Sequence, residues 1–208
     1  MIGLCGAQRV GKSTLAQAFA QEVDIPFVAT SASDVFVKLG LDPKESYPIE
    51  VRLMIQRHIL ETFEKQYAHA QKHSNLFVSD RTPIDLASYL LADVERTTLQ
   101  GQQALAKEVN QYVDDCLKMT SRFFSVIVLV QPGIQTVEAQ GKAPTCPAHM
   151  EHLNAIQLGL LSDERNLVRR YSIPRRITSL EDRLKAMTHA VKSAVDANEV
   201  VTRHKVFH

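Results

Sequence analysis

Eight residues near the start of the chain, Gly6-Ala7-Gln8-Arg9-Val10-Gly11-Lys12-Ser13, constrain its fold more than any other stretch. They fit the pattern Gly-x-x-x-x-Gly-Lys-Ser/Thr at every fixed position. The glycines let backbone N–H groups turn into one concavity and approach anionic oxygens with no Cβ in the way. The helix that follows, about Lys12 to Val23, aims its partial positive end at the same point. The apolar run Met1 to Cys5 reads as a short buried strand that delivers the chain to the loop. Strand, glycine-bearing loop and helix together describe a cradle for a nucleoside triphosphate. The candidate nucleotide-binding residues are therefore Gly6, Ala7, Gln8, Arg9, Val10, Gly11, Lys12, Ser13 and Thr14. Within them Lys12 can reach the β- and γ-phosphates and the Ser13 hydroxyl can ligate Mg²⁺.

The remainder alternates between strand-length apolar runs and helical periodicities, the pattern of an α/β domain with a parallel sheet. Further strands are expected at 25–30, 75–80, 123–130 and, as a short fifth, within 171–178. Helices are expected at 33–39, 49–72, 83–95, 102–118, 151–170 and 179–197. The proline- and glycine-bearing stretch 131–150 reads as an exposed loop. The 208 residues suit one domain, with 131–176 as a mobile, arginine-rich lid segment. The three cysteines, Cys5, Cys116 and Cys146, are odd in number and far apart, which fits a reducing compartment. No apolar run approaches the ~18 residues of a membrane span, and no signal peptide is legible, so a cytoplasmic location is expected. A formal net charge of +1 argues against a generally basic nucleic-acid binder but leaves room for a local patch.

Beyond the loop, Asp80-Arg81 is the most informative pair. An acid at the end of an apolar strand sits on the carboxyl edge of a parallel sheet, where ligands bind. Asp80 can hold a metal-bound water or accept a proton from an acceptor hydroxyl, and Arg81 can clamp an acceptor phosphate bidentately. The competing reading makes Asp80 the start of the turn into the helix at Pro83. The run 165–176 holds five arginines and no acid. Arg165 and Arg169, four apart, share a helix face and are candidates to close on the phosphates, with Arg170 about 100° further round. Their alternative is a solvated basic face pairing with Asp163, Glu164 and Glu181. Arg52 and Gln56 lie one turn apart on the long helix and can reach an acceptor together, or can belong to an ordinary polar face. Cys146, His149 and His152 have a zinc-like spacing but no fourth ligand nearby, which favours a polar loop and helix start.

The loop Gly6-Ala-Gln-Arg-Val-Gly-Lys-Ser-Thr14 resembles that of thymidylate kinases, one branch of which also has arginine at the position of Arg9. Phe77-Val-Ser-Asp-Arg-Thr-Pro-Ile-Asp85, followed by Ala87-Ser-Tyr89, is similar to the Asp-Arg segment of small phage-type P-loop kinases. Gln56 falls where those proteins often carry a helix glutamine. The resemblance implies a P-loop three-layer sandwich with a parallel five-stranded sheet flanked by helices, in the order 2-3-1-4-5. It implies phosphoryl transfer from ATP, with Mg²⁺, to a pyrimidine deoxynucleotide. By position, Lys12 would stabilise the β- and γ-phosphates, Ser13 would hold Mg²⁺, Arg9 would touch the transferring group, and Asp80 and Arg81 would serve the acceptor side. Gln8 stands where thymidylate kinases generally have an acid. With the arginine-rich run, that tilts the expected acceptor toward the 5-hydroxymethyl group of 5-hydroxymethyluracil in DNA, as in phage DNA modification. A free monophosphate is the alternative acceptor, and a P-loop ATPase or switch the alternative class. Against the switch, the strand 123–130 ends in Gln131 and not in a second acid. The oligomeric state stays open, a homodimer included.

Overall fold

The computed structural model describes residues 1–94, 99–134 and 146–206. The elements run β1 (Ile2–Cys5), α1 (Lys12–Val23), β2 (Phe27–Val28), α2 (Ser33–Leu39), α3 (Ile49–His73), β3 (Val78–Ser79), α4 (Pro83–Asp93), α5 (Gln103–Phe123), β4 (Val126–Val130), α6 (Pro147–Ser162), β5 (Arg169–Ile173) and α7 (Leu180–Val206). The five strands form one parallel sheet in the order β2-β3-β1-β4-β5. That is the expected order, with the first strand at the centre.

Strand alternation builds two cores. Ile2 and Leu4 of β1 and Val126, Val128 and Val130 of β4 point to one face, where Leu15, Ala16 and Phe19 of α1 and Met187, Ala190 and Ala194 of α7 cover them. Cys5 of β1 and Ile127 and Leu129 of β4 point to the other, against α3, α4 and α5. Both faces of a parallel sheet are thereby buried, which explains why β4 is uniformly apolar. A Cβ on Gly3 would fall 2.4 Å from Thr82 Cγ2 and 2.8 Å from Ile127 Cδ1, so only glycine lets α4 begin this close to β1.

Several expected boundaries move. β2 and β3 contract to two residues each, because only those pair in the ladder. Ala32 is the cap residue of α2, and Ser33 is its first turn. α5 runs on to Phe123, so β4 starts at Val126 and not at Phe123. The rings of Phe123 and Phe124 close on Tyr67, at 5.6 and 5.1 Å between centroids, and are core anchors before the strand begins. The largest correction is in the lid segment. α6 starts at Pro147 and stops at Ser162, and the fifth strand is 169–173. Arg169 and Arg170 are therefore strand residues, not neighbours on a helix. Residues 135–145 of the expected loop lie outside the described residues, as do 95–98. No helix among the described residues is long and apolar enough to cross a membrane.

Candidate active site

The phosphate loop leaves β1 at Cys5 and enters α1 at Lys12, on the carboxyl edge of the central strand. Gly11 adopts φ 85° and Arg9 φ 61°. For Arg9, a residue with a Cβ, the left-handed conformation costs ~1 kcal/mol, which the surrounding loop sustains. Lys12 is buried, and its Nζ donates to the carbonyls of Gly6 at 2.6 Å and Ala7 at 2.8 Å. Burial pushes its ammonium below the ordinary lysine value, against the upward pull of Asp85. Ser13 begins the exposed side of α1, and its Oγ donates to Asp80 Oδ2 at 2.5 Å. Asp80 follows β3 directly and is buried. Its second oxygen, Oδ1, accepts from Thr30 N and Thr30 Oγ1 at 3.3 and 3.2 Å. The strand-end acid and the loop serine thus meet, because β3 is the neighbour of β1.

Asp85 is the functional residue that sequence reasoning missed. It sits in the first turn of α4 with no exposure. Its Oδ2 accepts from Thr82 N at 2.8 Å and Thr82 Oγ1 at 3.1 Å, the local closure of a helix start. Its Oδ1 accepts from Gly6 N at 3.1 Å and from Gln157 Nε2 at 3.4 Å, and lies 4.0 Å from Lys12 Nζ. Burial pushes this carboxyl up, while Lys12 and the Thr82 and Gly6 N–H groups pull it down. The spacing Thr82-x-x-Asp85 is that of a capping box and could have pointed to the cap; the bond to Gly6, 79 residues away, leaves no local trace. Arg81 is half-buried, and its positive charge is felt at Lys12, Asp85 and Tyr89. Lys12, Ser13, Asp80 and Arg81 therefore share one site.

The arginines assigned to closure do not join them. Arg165 bridges Asp114 and Asp163 on the surface, with Nη2 2.5 Å from Asp163 Oδ2. The pair holds the Asp163 carboxyl down to about 2. Arg169 is in register with Val126, which is in register with Ile2, at the amino edge of the sheet. The loop starts three residues further along, roughly 10 Å away at strand rise. The Arg169 guanidinium donates to the carbonyl of Ala194, Arg170 Nη1 to that of Leu161, and Arg175 to Glu151. Arg165 thus pairs with Asp163 and with Asp114, Arg169 and Arg170 lie on β5, and Arg175 follows that strand. Arg165→Ala is accordingly expected to leave ATP affinity and turnover within about twofold, as an exposed ion pair is worth at most ~1 kcal/mol. A 100-fold loss in a steady-state assay would restore it to the site.

Arg52 and Gln56 share a face of α3 as expected, but each engages a neighbouring helix. Arg52 Nη1 pairs with Asp93 Oδ2 at 2.9 Å, and Gln56 accepts from Tyr112 Oη through its carbonyl and its Oε1 at 3.3 and 3.4 Å. Cys146 is the cap residue of α6, which carries His149 and His152 in its first two turns. Among the described residues no group of three or more His, Cys, Asp or Glu is placed to hold a metal ion. All three cysteines are free thiols.

A five-stranded parallel sheet with a phosphate loop at the end of its central strand defines a P-loop α/β domain of the kinase fold. A family profile described as an AAA domain matches residues 1–123, and the chain belongs to that family. No curated protein matches it. Among solved structures, it is similar to deoxyadenosine kinase from M. mycoides in three states. With bound dCTP the TM-score is 0.59 at 13% identity; with the products dCMP and a flexible dCDP it is 0.62 at 13%; with bound dATP it is 0.57 at 14%. Each alignment covers 92% of this chain and 98% of the kinase.

Proposed function

We propose that this protein is an ATP- and Mg²⁺-dependent kinase that transfers a γ-phosphoryl group to a small, freely diffusing deoxynucleoside or deoxynucleotide. The observation that carries this reading is the Ser13–Asp80 contact, which brings a loop hydroxyl and a strand-end carboxylate together beside a buried lysine. A hydroxyl and a carboxylate are hard oxygen donors, the chemistry that suits Mg²⁺, so Ser13 and Asp80 would hold it. When bound, the ion supplies charge neutralisation across the β- and γ-phosphates.

The chain's own residues then divide the work. Lys12 leaves the carbonyls of Gly6 and Ala7 for the phosphate oxygens, exchanging two neutral acceptors for an anion. The N–H groups of the loop cradle the phosphates, and Arg9 would touch the transferring group. Arg81 neutralises the acceptor and, with Asp80, aligns it for in-line attack. Arg52 would meet the acceptor with the guanidinium N–H groups that Asp93 does not take, and Gln56 with its Nε2, since Tyr112 engages its oxygens. A free acceptor is supported by the fold's likeness to a kinase seen with dCTP, dATP and dCMP. The DNA acceptor loses its main support, because Arg165, Arg169, Arg170 and Arg175 are engaged with carboxylates and carbonyls. A cytoplasmic location accords with the use of ATP.

The test is transfer of labelled γ-phosphate from ATP into four parallel acceptors: deoxynucleosides, deoxynucleoside monophosphates, DNA containing 5-hydroxymethyluracil, and none. Label in a free nucleotide is the expected result. Label in the modified DNA would replace the acceptor, and label in inorganic phosphate alone would make the protein an ATPase. Asp80→Asn is expected to slow transfer by about 10²-fold while ATP affinity changes by less than about threefold. Collapse of ATP binding with an unchanged residual rate would remove Asp80 from the chemistry.

A further inference from the structure

Arg183 in the first turn of α7 is the largest fully buried side chain among the described residues, with 2% of its surface exposed. No carboxylate pairs with it among the described residues. Its Nε donates to the carbonyl of Ile177 at 2.8 Å, and its Nη1 donates to the carbonyl of Val10 at 2.6 Å. Its Nη2 is buried with no hydrogen-bond partner among the described residues. Burying a guanidinium on two neutral carbonyls with a donor left over is expensive, and a methionine would fill the space at less cost. The arrangement therefore needs a reason beyond packing.

The reason lies in what Val10 O is attached to. The peptide between Val10 and Gly11 is planar and trans, so its carbonyl and its N–H point in opposite directions. A donor that holds the Val10 carbonyl away from the loop fixes the Gly11 N–H toward the loop's concavity. Gly11 has φ 85°, and a Cβ there would lie 3.3 Å from Arg183 Nη1, so the guanidinium takes up the space beside this glycine that a side chain would need. The carbonyls of Gly6 and Ala7 are held by Lys12, which must leave them to meet a phosphate. Arg183 has no such second task.

We propose that Arg183 is a positioning residue of the phosphate cradle, holding the Val10 carbonyl so that the Gly11 N–H faces the bound phosphate. It also fastens the loop to the segment joining β5 and α7 through Ile177. The inference rests on the reading of the loop as a nucleotide site.

Arg183→Met and Arg183→Lys test it, with ATP and inorganic pyrophosphate as probes. The readouts are the dissociation constants, the thermal midpoint, and the shift of the Gly11 amide in a ¹H–¹⁵N spectrum during titration. Arg183→Met is expected to weaken both probes by about 10- to 100-fold, the worth of a charge-assisted hydrogen bond, and to abolish the phosphate-dependent shift of the Gly11 amide. KM for ATP should rise with little change in kcat, because the contact serves ground state and transition state alike. Arg183→Lys, which keeps one charged donor, should fall between. A variant that melts earlier but binds both probes like the wild type, with the same Gly11 shift, overturns the proposal and leaves Arg183 a packing residue. A wild-type protein that binds neither probe overturns the nucleotide reading itself, and the inference with it.

Discussion

Lys12→Ala is expected to lower the rate of phosphoryl transfer by at least about two orders of magnitude while the protein still folds. In the proposed reaction the lysine would supply the charge that follows electron density onto the β–γ bridge, where one such donor is worth ~3–4 kcal/mol. Its removal costs the fold less than its burial suggests. Ammonium and carboxylate, Lys12 and Asp85, are both desolvated, and burial acts on each more strongly than their mutual attraction at 4.0 Å. Without Lys12, Asp85 can take up a proton and keep its N–H donors, so the melting temperature should shift by only a few degrees. Single-turnover transfer and a thermal melt on the same sample decide the matter. Near-normal transfer would show that the phosphates bind elsewhere.

What was legible in the sequence follows from how far apart the deciding contacts are. β1, the phosphate loop and α1 are contiguous, and their logic is local: glycines where left-handed backbone is needed, then a helix of the expected bounds. Asp80-Arg81 was readable as a strand end because β3 is short, apolar and followed by Pro83, a residue at home in a first helical turn. The fifth strand was misplaced because Arg165 and Arg169 have helical spacing, whereas Arg169, Tyr171 and Ile173 alternate on an edge strand whose partner is β4. Nothing within 165–176 encodes that pairing. In the sequence nothing sets Arg183 apart from the other charges of its helix, since burial of an arginine is decided by the loop 173 residues before it. Gln157 is a further example: a glutamine in an otherwise apolar stretch of α6 whose Nε2 reaches Ser88 Oγ at 3.1 Å and Asp85 Oδ1 at 3.4 Å.

The second large effect is expected at Asp85, and it separates this acid from Asp80. Asp85 satisfies four donors with two oxygens, from Gly6, Thr82 and Gln157, at the point where α4, α6 and the phosphate loop meet. Asp85→Ala leaves those donors buried and unpaired and strips Lys12 of its nearby carboxylate. Breaking a buried pair on one side costs about 3–5 kcal/mol. For a chain of this size that is a fall in melting temperature of roughly 6–20 °C. Asp85→Asn keeps the shape, but its NH₂ must face an N–H from Gly6 or Thr82, so a smaller loss of about 1–3 kcal/mol is expected. ATP affinity should fall in both, because the Gly6 N–H bond to Asp85 anchors the start of the proposed phosphate cradle. Asp80→Asn, by contrast, should leave the melting temperature nearly unchanged, since its NH₂ can face the Ser13 hydroxyl, which can accept as well as donate, while its oxygen keeps the Thr30 donors. Calorimetric melts of the three variants, with and without ATP, distinguish the roles. An Asp85→Ala protein that melts with the wild type would mean that the loop is held by its glycines and α1 alone, and that Asp85 is no more than the cap of α4.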